Sequence, residues 1–145
     1  MYLRIGNRMA YWLFKEEPDH YSFADLERDR STVWEGVKNA LARNHLRRIR
    51  RGDRIWYYHT GKEKAIVGEM RAASDAAEAP SAEDRGAVAV KVEPVRRLDS
   101  PVSLAEIKKE PRLAGWELVR LPRLSVMPVT ESQWRCIEEL SKKKS

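Results

Sequence analysis

Arg54-Ile55-Trp56-Tyr57-Tyr58-His59, then Gly61-Lys62, then Ala65 to Arg71, is the stretch on which the fold turns. The first run is rich in aromatic side chains and carries a β-branched one, so it favours a strand. Ile55, Tyr57 and His59 face one side, and Trp56 and Tyr58 face the other. Gly61-Lys62 reads as a hairpin turn, and Ala65 to Arg71 as the returning strand.

Towards the N-terminus, Gly52 and Asp53 stop a helical pattern that runs from Val37 to Arg50. Val37, Leu41, His45 and Ile49 recur at four-residue spacing and are expected to form its inner stripe. Trp34-Glu35-Gly36 is a break between elements. Further back, Ser22 caps a short helical turn with Phe23 and Leu26 on one side and Asp25, Glu27 and Arg28 outward. Tyr11-Trp12-Leu13-Phe14-Lys15, stopped by Glu16-Glu17-Pro18, reads as a buried strand ended by a proline.

Towards the C-terminus, Ala72 to Gly86 is alanine-rich, acidic and weakly patterned, and reads as an uninformative surface loop. Ala87 to Leu98 is expected to be a strand broken or bent at Pro94. Ser103 caps a short helix, Leu104 to Lys109, ended by Pro111. Two prolines confine strand within Leu118–Val129 to short pieces or an edge. Thr130-Glu131-Ser132-Gln133 has capping-box spacing, and a last helix follows through Leu140. Strands interleaved with short helices around a central hairpin predict a mixed α/β (α+β) domain built on a small barrel or curled sheet.

At 145 residues the chain suits one domain, and 42% hydrophobic with 34% charged residues is a globular balance. No stretch reaches the roughly 20 apolar residues a spanning helix needs, so no membrane association is expected. Residues 1–10 read as an N-terminal extension, with Met1 to Arg8 too short and polar for a signal peptide and Met9 an alternative start. The domain proper is expected over 11–141, with 142–145 a disordered basic tail. Cys136, the single cysteine, excludes an internal disulfide and a CxxC site and reads as a buried apolar residue, in keeping with a cytoplasmic protein. The net charge of +6 points to an acidic partner, of which nucleic acid is the commonest.

Enzyme signatures are thin. Gly61-Lys62 lacks the earlier glycine of a phosphate loop, no GxGxxG or GxSxG occurs, and His20, His45 and His59 have no metal-ligand spacing. Neither a metal nor a cofactor is expected. The helix after Trp34 is more informative. At about 100° per residue, Asn39, Arg43, Arg47 and Arg50 fall within about 80° of one another, opposite the expected inner stripe. Trp34 and Gly36 precede Asn39 and Arg43, so an indole, an amide and a guanidinium converge at a helix start. Such a set can stack a base and bond its edge. A solvated face is the alternative for Arg47, Arg48 and Arg51, and a core plug for Trp34.

The same residues carry a resemblance. Tyr11-Trp12-Leu13-Phe14-Lys15 with Glu17-Pro18, Trp34-Glu35-Gly36-Val37-Lys38-Asn39 with Ala42-Arg43-Asn44, and Gly52-Asp53, Tyr58-His59 and Ile66-Val67-Gly68 resemble, in order, the blocks of EVE domains. Arg123-Leu124-Ser125-Val126 and Pro128-Val129-Thr130 resemble their closing RLSVQPVT block. The resemblance implies a PUA-like β-barrel flanked by short helices, and a pocket between the opening strand, the Trp34 helix and the RLSV block. It implies Trp34 as an aromatic wall, Asn39, Arg43 and Asn44 as polar contacts, and Lys15, Glu17, His59 and Ser125 around rim or floor. Arg47, Arg50 and Arg51 are the candidates for phosphate contact. The implied function is a monomeric, non-catalytic reader of a modified base, of the 5-methylcytosine type, in DNA or RNA. On that reading Trp34→Ala loses binding while the fold survives. Glu16 stands where the family usually has serine, and Met127 where it usually has glutamine; either would alter the preferred base if it lined the pocket. The 72–86 loop lacks a proline-rich insert, which implies a more open groove edge. The alternatives are a nucleotide-processing hydrolase or deaminase using Glu17, His59 or Lys15, and a protein-interaction module with a basic face.

Overall fold

The computed structural model describes residues Met9 to Lys142. The expected extension as far as Arg8, and Lys143 and Lys144 of the basic tail, lie outside the described residues. The strands are β1 (Tyr11–Glu16), β2 (Thr32–Trp34), β3 (Arg54–His59), β4 (Ala65–Ala72), β5 (Ala77–Glu78), β6 (Val88–Ser103) and β7 (Val126–Val129). They make a seven-stranded sheet in the order β2-β6-β4-β3-β1-β7, with β5 paired to β6 off that path. The helices are α1 (Phe23–Asp29), α2 (Ala40–Arg47), α3 (Leu104–Lys109), α4 (Glu117–Arg120) and α5 (Glu131–Lys142), with one 3-10 turn at Pro111–Leu113. The sheet curls into a half-barrel flanked by these short helices, a PUA-like arrangement.

The β3–β4 hairpin sits at the centre, as its composition predicts. Gly61 turns it at φ +77°, a left-handed conformation that glycine adopts without strain. A Cβ there would also stand 2.7 Å from Glu17 Oε1, so β1's end and the hairpin turn meet closely. β1 lies parallel to β3, with Phe14 opposite Tyr57 and Lys15 opposite Tyr58. The crossover between them carries α1, β2 and α2. Proline-bearing β7 is the edge strand beside β1, which leaves the missing N–H of Pro128 harmless.

Two faces of the sheet are packed. On one, the Trp56 and Trp134 rings stack at 3.8 Å between centroids and 13° between planes, which docks α5. On the other, Phe14, Trp34, Tyr57 and Phe23 form a chain of tilted and edge-on ring contacts. Asp53 is fully buried and accepts from Ala10 N (3.1 Å), Trp12 Nε1 (2.9 Å) and Arg50 N (3.0 Å), pinning the start of β1 to the α2–β3 loop. Cys136 is buried in α5.

Four sequence expectations need correction. Thr32–Trp34 is a strand rather than part of a break, because it finds an antiparallel partner in β6. β6 runs on to Ser103 past two prolines. Pro94 lies beside a shift in the β4–β6 register, where the ladder is already irregular. Helix α2 begins at Ala40, not Val37, since Gly36 at φ +82° and the extended Asn39 come first. Its inner face is therefore Ala42 and Leu46, with Ile49 buried just beyond it, while Leu41 turns outward. Finally, Lys142 is helical and belongs to α5 rather than to a frayed tail.

Candidate nucleobase site

The site builds from the start of α2. Asn39 adopts an extended backbone and its Oδ1 accepts from Ala42 N at 2.9 Å, an N-cap satisfying one orphan helix donor. Its amide nitrogen makes no hydrogen bond among the described residues and the side chain is exposed. An amide fixed by its oxygen, with its NH2 offered outward, is a ready donor to a base edge or phosphate.

Trp34 lies one short loop upstream, at the end of β2. It is only 7% exposed, its ring 5.1 Å from Phe14 and 5.5 Å from Tyr57, edge-on to the latter. A base reaches no more than its rim unless neighbours move. Trp34 is thus a piece of core with a small exposed margin, and the expectation that Trp34→Ala leaves the fold intact does not stand. Removing a buried indole costs about 3–5 kcal/mol.

Arg43 is committed to architecture. Its Nε donates to Val37 O at 2.6 Å, and its Nη2 donates to Asp84 in the loop before β6. Lys38 Nζ approaches the same carboxylate at 3.5 Å. The hydrogen bond from Arg43, more than any other influence, holds the Asp84 carboxyl below its ordinary value. The alanine-rich loop, expected to be uninformative, therefore ties down the segment between Trp34 and α2. Arg47 donates to Asn44 Oδ1 (2.9 Å), Glu78 Oε1 (3.0 Å) and Gly86 O (3.3 Å), so Asn44 and Arg47 serve each other. Arg50 Nη1 donates to the Arg47 and Ile49 carbonyls. Arg51 is exposed, with its backbone N–H on Asp75.

Lys15 belongs to the opposite side of the sheet from Trp34. Side chains alternate along β1, so Phe14 meets Trp34 while Lys15 Nζ lies 5.5 Å over the Tyr58 ring. Lys15 N donates to Ser125 O (2.9 Å) and its Nζ to Pro122 O (2.8 Å), fastening the 122–125 segment to β1. Burial pushes the Lys15 ammonium below the ordinary lysine value. Glu16 Oε1 accepts from Glu17 N, and Glu16 pairs with His20 at 3.2 Å. Glu17 Oε1 accepts from Thr60 Oγ1 at 2.7 Å. His59 is nearly enclosed, its Nε2 accepting from Phe23 N (3.1 Å) and its Nδ1 facing Glu63 Oε1 at 2.7 Å. Phe23 N is the first orphan donor of α1, so His59 acts there as a helix-end acceptor with both ring nitrogens occupied. Met127 is fully buried, opposite Leu13, and lines no surface.

The structure thus brings Lys15 and Ser125 together at the end of β1, while Trp34 and His59 both contact Tyr57 in the core on the other face. Asn39 shares with the 120–124 segment a groove of about 340 Å³, lined also by Leu41, Arg120, Leu121, Pro122, Arg123 and Leu124. Leu41 and Leu121 are 44% and 37% exposed there. Sequence reading missed both leucines, because it turned Leu41 inward and read Leu118–Val129 only as broken strand, whereas Glu117–Arg120 is helical and Leu121 follows it at the surface. Asp84 gave no local signal. No group of three or more potential metal ligands occurs, and no helix is long and apolar enough to cross a membrane, among the described residues.

The EVE domain family model matches residues 10–140. The chain belongs to the EVE domain family. As an EVE domain it is 36% identical to Rpa0253 from Rhodopseudomonas palustris, whose NMR structure superposes with a TM-score of 0.87 over 94% of this chain and 96% of that one. It is 28% identical to human thymocyte nuclear protein 1 over 96% of this chain and 77% of that protein. The crystal structure of human THYN1 protein in complex with 5-methylcytosine-containing DNA matches it with a TM-score of 0.86 at 26% identity, covering 94% of this EVE domain and 99% of that chain.

Proposed function

We propose that this EVE domain is a non-catalytic module that binds nucleic acid by holding one base, of the 5-methylcytosine type, beside the start of α2. The observation that carries this reading is the near-complete match of the fold to a relative solved with 5-methylcytosine-containing DNA. The chemistry at the site supports it. Asn39 offers an amide whose oxygen is locked by the helix, and Trp34, one short loop upstream, supplies an aromatic margin. Extruding a base costs a few kcal/mol, so stacking, edge bonds and cationic contacts must act together. Arg51, exposed at the end of the α2 region, is the freest of the three arginines named as phosphate contacts, since Arg47 and Arg50 already donate to protein oxygens.

A non-catalytic role agrees with the acid–base inventory. His59, the natural general base of an alternative hydrolase or deaminase, has both nitrogens engaged by Phe23 N and Glu63. The test is an anisotropy titration of otherwise identical DNA and RNA oligonucleotides carrying cytosine or 5-methylcytosine, at fixed salt. Tighter binding of a methylated strand is expected, together with affinity that falls as salt rises. Equal affinity for both bases would remove the modified-base reading. Turnover of any of the oligonucleotides by mass spectrometry would remove the non-catalytic one.

A further inference from the structure

We propose that the groove beside Asn39 is a second subsite, which receives the base next to the one held at the start of α2. This rests on the nucleic-acid reading above and extends it from one nucleotide to two. The groove has the chemistry for such a guest. Leu41 and Leu121 present large apolar side chains to solvent, and Pro122 and Leu124 continue the apolar lining. Soluble domains generally leave such residues scattered singly; here two share one concavity, which marks a binding surface. Apolar side chains that flank an unstacked base are a common way of holding it.

The charge around the groove selects a polyanion over a peptide or a lipid. Arg120 and Arg123 line it, and both side chains are exposed. Arg120 spends its Nε on Gly115 O (2.8 Å) and keeps the outer end of its guanidinium at the surface. The Lys15 ammonium bonds the carbonyl of Pro122, within the same wall. No acidic residue lines the groove. A volume of about 340 Å³ is at the small end of ligand pockets and suits a single base with part of its sugar.

Asn39 makes the two subsites continuous. It lines the groove and is also the helix-capping amide placed beside the held base. A strand that seats one base at Asn39 therefore has an apolar seat for its neighbour within one nucleotide's reach, with Arg120 and Arg123 set for the backbone. Leu41 faces outward because Ala42 and Leu46, one position on from the stripe read from sequence, form the buried face of α2.

The test uses short single strands with a central 5-methylcytosine, each flanking base in turn replaced by an abasic site, titrated against the wild-type chain and a Leu41→Gln/Leu121→Gln double variant. Both leucines are exposed, so the variant folds, which circular dichroism checks. Removing the base on one side is expected to weaken wild-type binding roughly five- to tenfold, within the range of single-base stacking. In the variant that penalty vanishes, while affinity for the abasic-flanked strand is unchanged. Arg123→Gln is expected to lower the slope of log affinity against log salt by about one. Equal wild-type affinity for intact and abasic-flanked strands overturns the second subsite and leaves the base reading intact. A variant that loses affinity for both strands equally also overturns it. Failure of every strand to bind overturns the base reading and the subsite with it.

Discussion

Arg43 reaches from the first turn of α2 to Asp84, in the loop before β6, and the two residues close the segment that separates Trp34 from the helix. The same guanidinium holds Val37 O at 2.6 Å, so one side chain joins three pieces of backbone. Asp84→Asn is expected to loosen residues 79–87, with amide hydrogen exchange there faster on the order of tenfold and little change in the sheet. Gly86→Ala should act similarly, because a Cβ at that position would stand 2.8 Å from Arg43 Nη1. The pH dependence has a definite sign. Asp84 has a folded value below its unfolded one of about 3.9, so its contribution is complete above that pH. It is lost only as pH falls through the lower folded value. Carboxyl titration by NMR, with exchange measured in parallel, checks both statements.

Asn39 carries two separable duties. Asn39→Ala removes the cap to Ala42 N and is expected to cost about 1 kcal/mol of stability in urea unfolding. Asn39→Ser restores a capping oxygen and most of that stability, but offers no amide NH2. If the amide meets the base, both variants bind the methylated oligonucleotide more weakly, by a similar factor. Recovery of binding in the serine variant would reduce Asn39 to a cap.

Trp34 has to be tested with a ring in place. Its indole sits between Phe14 and Tyr57, so Trp34→Ala should lower stability by about 3–5 kcal/mol, and its binding data would report unfolding. Trp34→Phe keeps most of the packing. It is expected to fold, with a modest fall in Tm, and to bind modified strands more weakly than the parent chain. Unchanged affinity in Trp34→Phe would assign the indole to the core alone.

Glu69 is buried to 1% exposure and answers two arginines: Arg54 through Nε (2.6 Å) and Nη2 (3.0 Å), and Arg96 through Nε (2.9 Å). Arg54 also lies 5.0 Å over Trp134, and Arg96 5.7 Å over Trp56, so the carboxylate clasps guanidinium groups from both sides of the stacked indoles. Glu69→Ala is expected to cost about 3 kcal/mol in denaturant unfolding. That is the low end for a broken buried pair, since each guanidinium keeps about a third of its exposure. Nucleic-acid affinity measured well below the new midpoint should not change, because the network lies across the sheet from Trp34.

Much of the fold was legible in the chain because its signals are short-ranged. Ser22 and Ser103 read as caps, and in the structure each also closes a box with the N3 carboxylate of Asp25 or Glu106, while the box read at Thr130 and Gln133 forms as well. The central hairpin, the prolines that confine β7 to an edge and the buried Cys136 depend equally on local chemistry. The phase of α2 was misread because a pattern count includes Val37, whereas Gly36 and Asn39 take backbone conformations that postpone the helix.

Sequence by itself determined the alternation of elements, the family blocks and the basic character of the chain. Tertiary structure alone decided what each candidate side chain touches. Lys15 and Trp34 fall on opposite faces because strand alternation separates Lys15 from Phe14. Arg43 meets a carboxylate 41 residues away, and His59 spends its nitrogens on Phe23 N and Glu63. Contacts between residues far apart in the chain depend on how the sheet curls and where loops return, and no local spacing encodes that.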